Sequence, residues 1–262
     1  MDPLQAVILA LLQGLTEFLP ISSSAHLALF PRLAGVTDQG LAFDVAVHVG
    51  TLGAVCWYFR GELVRLVRPP AGDPQAPALR RLAACVILGT IPVALAGLLM
   101  HDAVATMLRS VTVIAWASIG FGLLLWAADR YGPRRRDEYS VGWRDAVLVG
   151  LAQALALIPG TSRSGVTMTA ALALGLDARS AARFSFLLSI PVIALAGGYE
   201  TLKLVREPVP VDWGSMAIGV VVAGASAYAC IRAFLALLER IGFLPFVIYR
   251  MVLGVALLAF YA

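Results

Sequence analysis

Apolar stretches of near-spanning length recur along the chain, separated by short segments rich in arginine. Uninterrupted runs predict full membrane spans at Leu41–Phe59, Leu82–Met100, Val111–Ala128, Phe184–Leu204, Trp213–Leu235 and Pro245–Tyr261, because about 20 apolar residues cross a hydrocarbon core as a helix. Two apolar regions do not fit a single span. Leu4–Leu19 covers 16 residues, about 24 Å as a helix; it stops at Pro20 before Ser22-Ser23-Ser24 and resumes over Ala25–Phe30. Ala146–Ile158 is shorter, stops at Pro159-Gly160, and resumes from Gly165 to Leu176. Each pattern predicts a broken helical hairpin that enters the membrane and turns back.

The two halves echo one another. Pro20-Ile21-Ser22-Ser23-Ser24 set against Pro159-Gly160-Thr161-Ser162-Arg163 gives a helix, a proline, a hydroxyl-rich turn and a second half-helix in both, with a full span following at Phe43 and Phe184. Paired interruptions at matching places in two halves point to inverted repeats with a site between them. The expected fold is therefore all-α, a polytopic membrane helical bundle with two opposing re-entrant hairpins. Residues 1–262 form one integral membrane domain, with repeats at 1–128 and 145–262 joined by a basic cytoplasmic linker at 129–144.

Composition agrees. The chain is 60% hydrophobic and 14% charged with a mean hydropathy of +0.85, whereas soluble domains are nearer 45–50% apolar with about a quarter charged. Asp2 and the lack of any basic residue before Arg32 argue against a cleavable signal peptide. Cys56, Cys85 and Cys230 are odd in number and lie in apolar stretches, so neither a disulfide nor a metal framework is expected. The net charge of +4 does not imply nucleic acid, because its arginines cluster in the loops Arg60–Arg81 and Asp129–Asp145. Both loops are expected on the cytoplasmic side. Span parity then places the His101–Arg109 loop and both termini outside, and makes the hairpins enter from opposite faces to meet near the midplane.

The polar residues kept inside these apolar segments carry the chemistry. Pro159–Thr167 places Arg163 among Ser162, Ser164 and Thr167, just after Gly160 and Thr161. An intramembrane arginine marks a functional site, and its paired donors suit phosphate oxygens. In the first hairpin Gln13 and Glu17 share one helix face. Ser22, Ser23 and Ser24 are placed to cap the next half-helix, whose N-terminus favours an anion, and His26 falls in its first turn. Asp44 and His48 share a face as a cavity-lining pair, and Arg250 has no evident partner in the sequence.

Gln13–His26 and Pro159–Thr167 closely resemble the two motifs of the undecaprenyl pyrophosphate phosphatase family associated with bacitracin resistance. The resemblance runs essentially the whole length, including Phe246–Arg250. It implies a bacterial inner-membrane hydrolase, multi-pass, that removes one phosphate from undecaprenyl pyrophosphate and regenerates the lipid carrier for peptidoglycan and other envelope glycans. The fold it implies is an inverted-repeat bundle with two re-entrant hairpins, its site expected to open to the periplasmic side. Carried over, the catalytic positions are Glu17, Ser23, His26 and Arg163, with Gln13, Ser22, Ser24, Gly160, Thr161, Ser162, Ser164 and Thr167 binding substrate. Many relatives have Glu where this chain has Gln13, which leaves Glu17 as the candidate for acid/base work or for contact with Mg²⁺ or Ca²⁺, hard cations that prefer oxygen ligands. The nucleophile is open between Ser23 activated by His26, His26 itself, and a water activated by Glu17.

Expected partners are the polyprenyl pyrophosphate and membrane lipids, with a homodimer left open. A secondary transporter or lipid flippase would use similar hairpins. The other common lipid phosphatase superfamily needs a histidine after the motif arginine, and none follows Arg163. A scaffold without activity leaves the buried arginine unexplained.

Overall fold

The computed structural model describes residues 1–107, 110–206 and 212–261, the side chains at 100–107 excepted. Among the described residues there are eleven α-helices and no strand: α1 Pro3–Thr16, α2 Ser23–Ala34, α3 Gly40–Tyr58, α4 Arg60–Val67, α5 Ala76–Met107, α6 Val111–Tyr131, α7 Trp143–Ala154, α8 Arg163–Ala173, α9 Ala178–Arg206, α10 Trp213–Ile241 and α11 Leu244–Tyr261. Six of them, α3, α5, α6, α9, α10 and α11, are long and apolar enough to cross a membrane. All six predicted spans are present.

Two helices exceed their apolar cores. α5 continues to Met107, so most of the stretch expected as the His101–Arg109 outer loop is helical; Leu108 and Arg109 lie outside the described residues. α9 begins at Ala178, where Asp177 caps it by accepting from the Ser180 backbone N–H at 2.8 Å and from Ser180 Oγ at 2.9 Å. A cap of this kind extends a helix beyond its apolar run. The short helix α4 was not foreseen; it turns one apolar residue, Leu66, into the core and exposes Arg60 and Val64.

Both interrupted segments are broken helices. α1 ends at Thr16 and the chain turns over residues 17–22 before α2. α7 ends at Ala154, passes through a 3₁₀ turn at Leu155–Leu157, and turns before α8. The packing is paired: α1 lies on α10 as α7 lies on α5, α3 packs on α10 as α9 packs on α5, and α3 meets α9 while α6 meets α11. The close contacts need glycine. A Cβ on Gly14 would stand 2.6 Å from the Ala223 carbonyl of α10, and one on Gly150 would stand 2.7 Å from the Gly89 carbonyl of α5.

The ends of the bundle differ in charge. At one, the Met1 ammonium meets Asp212 at 3.2 Å. At the other, Arg81 donates to the Tyr139 carbonyl at 2.8 Å, and Arg183 pairs with both Glu62 and Glu138. Arg136 ties the linker down through Asp145, the Ser140 carbonyl and the Leu174 carbonyl. The two arginine-rich segments thus share one end, as the span parity requires. Large apolar side chains such as Trp116, Val221, Val252 and Phe260 remain exposed on the spans, the arrangement expected of faces solvated by lipid.

Candidate active site

The two hairpin turns meet at a carboxylate. Glu17 closes α1, its backbone N–H returning to the Gln13 carbonyl at 2.9 Å. Its Oε1 accepts from Arg163 Nη2 at 2.9 Å, and its Oε2 accepts from Ser23 Oγ at 2.6 Å and Gln13 Nε2 at 2.9 Å. The side chains of Glu17 and Arg163 are only 7% and 13% exposed, so the pair is shielded from bulk solvent. Arg163 also donates to the Ser185 carbonyl of α9 at 3.3 Å, and its guanidinium carbon stands 5.9 Å from the Phe18 ring centre. Phe18 in turn packs edge-on against Phe186 at 5.2 Å, forming an aromatic floor.

The turns are alike in backbone geometry. Ser22 and Ser162 both have positive φ, 74° and 70°, in a region that costs a residue with a side chain of order 1–3 kcal/mol. Each pairs its hydroxyl with the serine two residues on, Ser22 with Ser24 at 3.2 Å and Ser162 with Ser164 at 3.1 Å. This matches Ser22 with Ser162 and Ser23 with Arg163, one residue away from the proline-based alignment, and it also matches the fully buried Gln13 and Gln153. Only the second serine caps its helix: Ser162 Oγ accepts from the Gly165 N–H at 3.1 Å, whereas the Ser22 side chain makes no cap bond to α2.

A cavity of about 330 Å³ opens at this junction. Glu17, Ser22, Ser23, Ser24, Ser162 and Arg163 line it on the hairpin side, Asp44, His48 and Glu200 add polar groups from α3 and α9, and Leu41, Val45, Val93, Val192, Ile193 and Ala196 supply apolar walls. His48 donates from Nδ1 to the Asp44 carbonyl at 2.7 Å and brings Nε2 to 4.0 Å from Glu17 Oε2. Asp44 accepts from Gln39 Nε2 at 2.9 Å.

The other expected residues support the turns and do not line the cavity. His26 donates from Nδ1 to the Ser22 carbonyl at 2.7 Å, and its Nε2 meets the Tyr249 hydroxyl of α11 at 2.5 Å. With the carbonyl fixing the tautomer, Nε2 is the acceptor. Ser164 Oγ donates to the Leu19 carbonyl across the hairpins at 2.8 Å, and Thr167 Oγ1 bonds to the Arg163 carbonyl at 2.9 Å and to Ser185 Oγ at 2.7 Å. Gly160 and Thr161 offer carbonyls to Arg250, at 2.9 Å and 3.0 Å. Arg250 is fully buried; a charge inside a span demands partners, which was a signal in the sequence beside its place in the Phe246–Arg250 stretch. Tyr249 lies in the same stretch, but nothing in the sequence paired it with His26.

Comparison with known proteins gives a coherent result. The family described as bacitracin resistance protein BacA matches residues 6–256. Undecaprenyl-diphosphatase 2 of Stutzerimonas stutzeri is 59% identical, covering 100% of this chain and 99% of its own length. The undecaprenyl-diphosphatases of Thioalkalivibrio sulfidiphilus and Nitrosococcus oceani are 59% and 56% identical, with 98% of each chain covered.

Proposed function

The chain belongs to the BacA family of bacitracin resistance proteins, and we propose that it is a multi-pass membrane undecaprenyl-diphosphatase, hydrolysing undecaprenyl pyrophosphate to undecaprenyl phosphate and inorganic phosphate. The observation that carries the reading is one carboxylate, Glu17, holding the Ser23 hydroxyl on one oxygen and the Arg163 guanidinium on the other. A hydroxyl in a short hydrogen bond to a carboxylate is placed to lose its proton to it, and the guanidinium beside it suits the charge of a phosphoryl group.

In this mechanism Ser23 Oγ attacks the terminal phosphorus while its proton passes to Glu17. The anhydride P–O bond breaks and undecaprenyl phosphate leaves. Water then cleaves the phosphoserine, giving inorganic phosphate and restoring the serine. Arg163 and the N-terminus of α8 hold the diphosphate, and the apolar wall around Val192 and Ile193 takes the first isoprene units. His26 acts through Ser22, fixing the turn that presents Ser23. This geometry favours Ser23 as nucleophile over attack by His26, whose ring nitrogens are both engaged.

The donor set also fits a divalent cation. Glu17 brings carboxylate oxygens, the donors that hard cations prefer, to the cavity wall beside the Ser23 hydroxyl. No group of three metal-ligating side chains stands together among the described residues, so Mg²⁺ or Ca²⁺ would be held by Glu17 together with diphosphate oxygens and water, as hard cations commonly are. Bound there, it would neutralise charge on the diphosphate.

The broken helices act as re-entrant hairpins of two inverted repeats. Support comes from the paired helix contacts, the matched conformations of Ser22 and Ser162, and the matched Gln13 and Gln153. The cavity draws on the first part of α3 and the last part of α9, the end away from the arginine-rich loops; by the positive-inside rule that end is periplasmic in the bacterial inner membrane. The test is phosphate release from undecaprenyl pyrophosphate by the purified protein. Hydrolysis that disappears in Ser23→Ala and Glu17→Gln supports the proposal, and transbilayer movement of intact lipid without phosphate release contradicts it.

A further inference from the structure

Arg250 lies in the middle of α11 and is fully buried, yet it does not line the cavity. All five of its N–H donors are used, and every acceptor is a backbone carbonyl. Nε donates to Ser118 at 3.1 Å; one Nη1 donates to both Pro20 and Thr161 at 3.0 Å; Nη2 donates to Gly160 at 2.9 Å and Ala117 at 3.3 Å. A guanidinium is the side chain that can satisfy so many acceptors in a fixed fork.

The distribution of those acceptors is the informative part. Pro20 belongs to the first turn, three residues after Glu17, and Gly160 and Thr161 belong to the second, just before Arg163. One nitrogen therefore holds both turns, while Nε and Nη2 anchor them to α6. Space is shaped around the group: a Cβ on Gly165 would stand 3.0 Å from Nη1. Among the described residues the Ser164–Leu19 bond, the Glu17–Arg163 pair and the Arg163–Phe18 contact also join the turns, and this side chain is the tie that fixes both to α6.

We infer that Arg250 is a positioning residue that locks the two hairpin turns in register and thereby sets the placement of Ser23 and Glu17 relative to Arg163. The inference rests on the proposed reading of those three residues as the reacting site. It has a distinctive kinetic consequence. The groups that grip the diphosphate, Arg163 and the start of α8, belong to the second hairpin, and the groups that react, Ser23 and Glu17, belong to the first. The Ser162 cap of α8 and the Arg163 bond to the Ser185 carbonyl do not depend on Arg250, so loosening the tie spares the grip more than the alignment of the attack, and misplacement of about 1 Å costs on the order of a hundredfold in rate.

The test compares Arg250→Lys and Arg250→Gln with the parent protein in detergent, using phosphate release from undecaprenyl pyrophosphate normalised to the folded fraction from size exclusion. The expected result is a kcat lowered on the order of a hundredfold with KM within about threefold of the parent, the lysine variant as impaired as the glutamine variant because three donors on one nitrogen cannot serve five carbonyls and so cannot hold both turns to α6 at once. If Arg250→Gln does not fold, Arg250→Lys carries the same readout. A kcat per folded molecule equal to the parent's in Arg250→Lys, or a raised KM at unchanged kcat, overturns the role. Arg163→Ala is measured alongside: full activity there would sink the site reading itself, whereas an inactive Arg163→Ala with an unimpaired Arg250→Lys overturns only the positioning role.

Discussion

Glu17 and Arg163 are 146 positions apart in the chain and meet at 2.9 Å, each delivered by the turn of a different broken helix. Because both are largely withdrawn from solvent, their pairing has a stability signature separate from catalysis. Removing one partner of a buried pair costs about 3–5 kcal/mol, whereas replacing both by apolar groups is often near neutral. Arg163→Met should therefore destabilise the protein, and Glu17→Met/Arg163→Met should recover most of the loss while remaining inactive. Thermal unfolding of the two variants, read beside phosphate release, checks both halves.

Ser23 separates chemical roles at the same carboxylate. If its oxygen attacks, Ser23→Ala should lose at least about a thousandfold in kcat, and substrate labelled at the terminal phosphorus should leave label on the wild-type serine in a rapid acid quench. Loss of a hydrogen bond alone would cost nearer tenfold. A variant with a tenth of wild-type turnover and no trapped phosphoserine would move the attack to water.

Gly160 tests the second turn through backbone chemistry. Its φ is +92°, and a Cβ there would stand 2.5 Å from the Ile114 carbonyl of α6. Gly160→Ala should cost at least about 1–3 kcal/mol from the unfavourable conformation alone and lower activity by displacing Arg163. Gly97→Ala is the matched control on α5, where the nearest atom would be Leu157 Cδ2 at 3.9 Å; there the substitution should be neutral or slightly stabilising. Denaturation midpoints of both variants in one detergent decide it.

Asp212 predicts a pH effect outside the site, where the N-terminus meets the start of α10. Hydrogen bonds from the Ser215 hydroxyl and backbone N–H, with the N-terminal ammonium, hold its carboxyl down at about 2. A depressed carboxyl adds stability that is present above the unfolded value near 3.9 and is lost as pH falls through the folded value. The unfolding midpoint of the parent should therefore fall between pH 4 and pH 2 more steeply than that of Asp212→Asn. Equal slopes would show that the cap of α10 does not depend on the charge.

The spans were legible because hydrophobic runs of fixed length need no tertiary information. The helix ends were not: α5 begins before Arg80 and Arg81, and α9 includes Arg179 and Arg183, charged residues that a hydropathy reading assigns to loops. The grouping of Glu17 with Ser23 and Arg163 was legible because each is costly in an apolar segment. The partner of Arg250 was invisible because it is a set of carbonyls, which every residue carries. His26 sat in the right motif, but the path of its ring back to the Ser22 carbonyl and across to Tyr249 depends on where α11 packs. The pairing of Ser22 with Ser162 is a property of backbone angles, and the prolines gave a register one residue away.

The most direct measurement is phosphate release from undecaprenyl pyrophosphate by purified wild type, Glu17→Gln and Arg163→Lys, each shown to be folded. The account predicts steady hydrolysis by the wild type and a loss on the order of a hundredfold or more in both variants, because glutamine cannot take the Ser23 proton and lysine cannot offer paired donors. Turnover within a fewfold of wild type in both folded variants would contradict it.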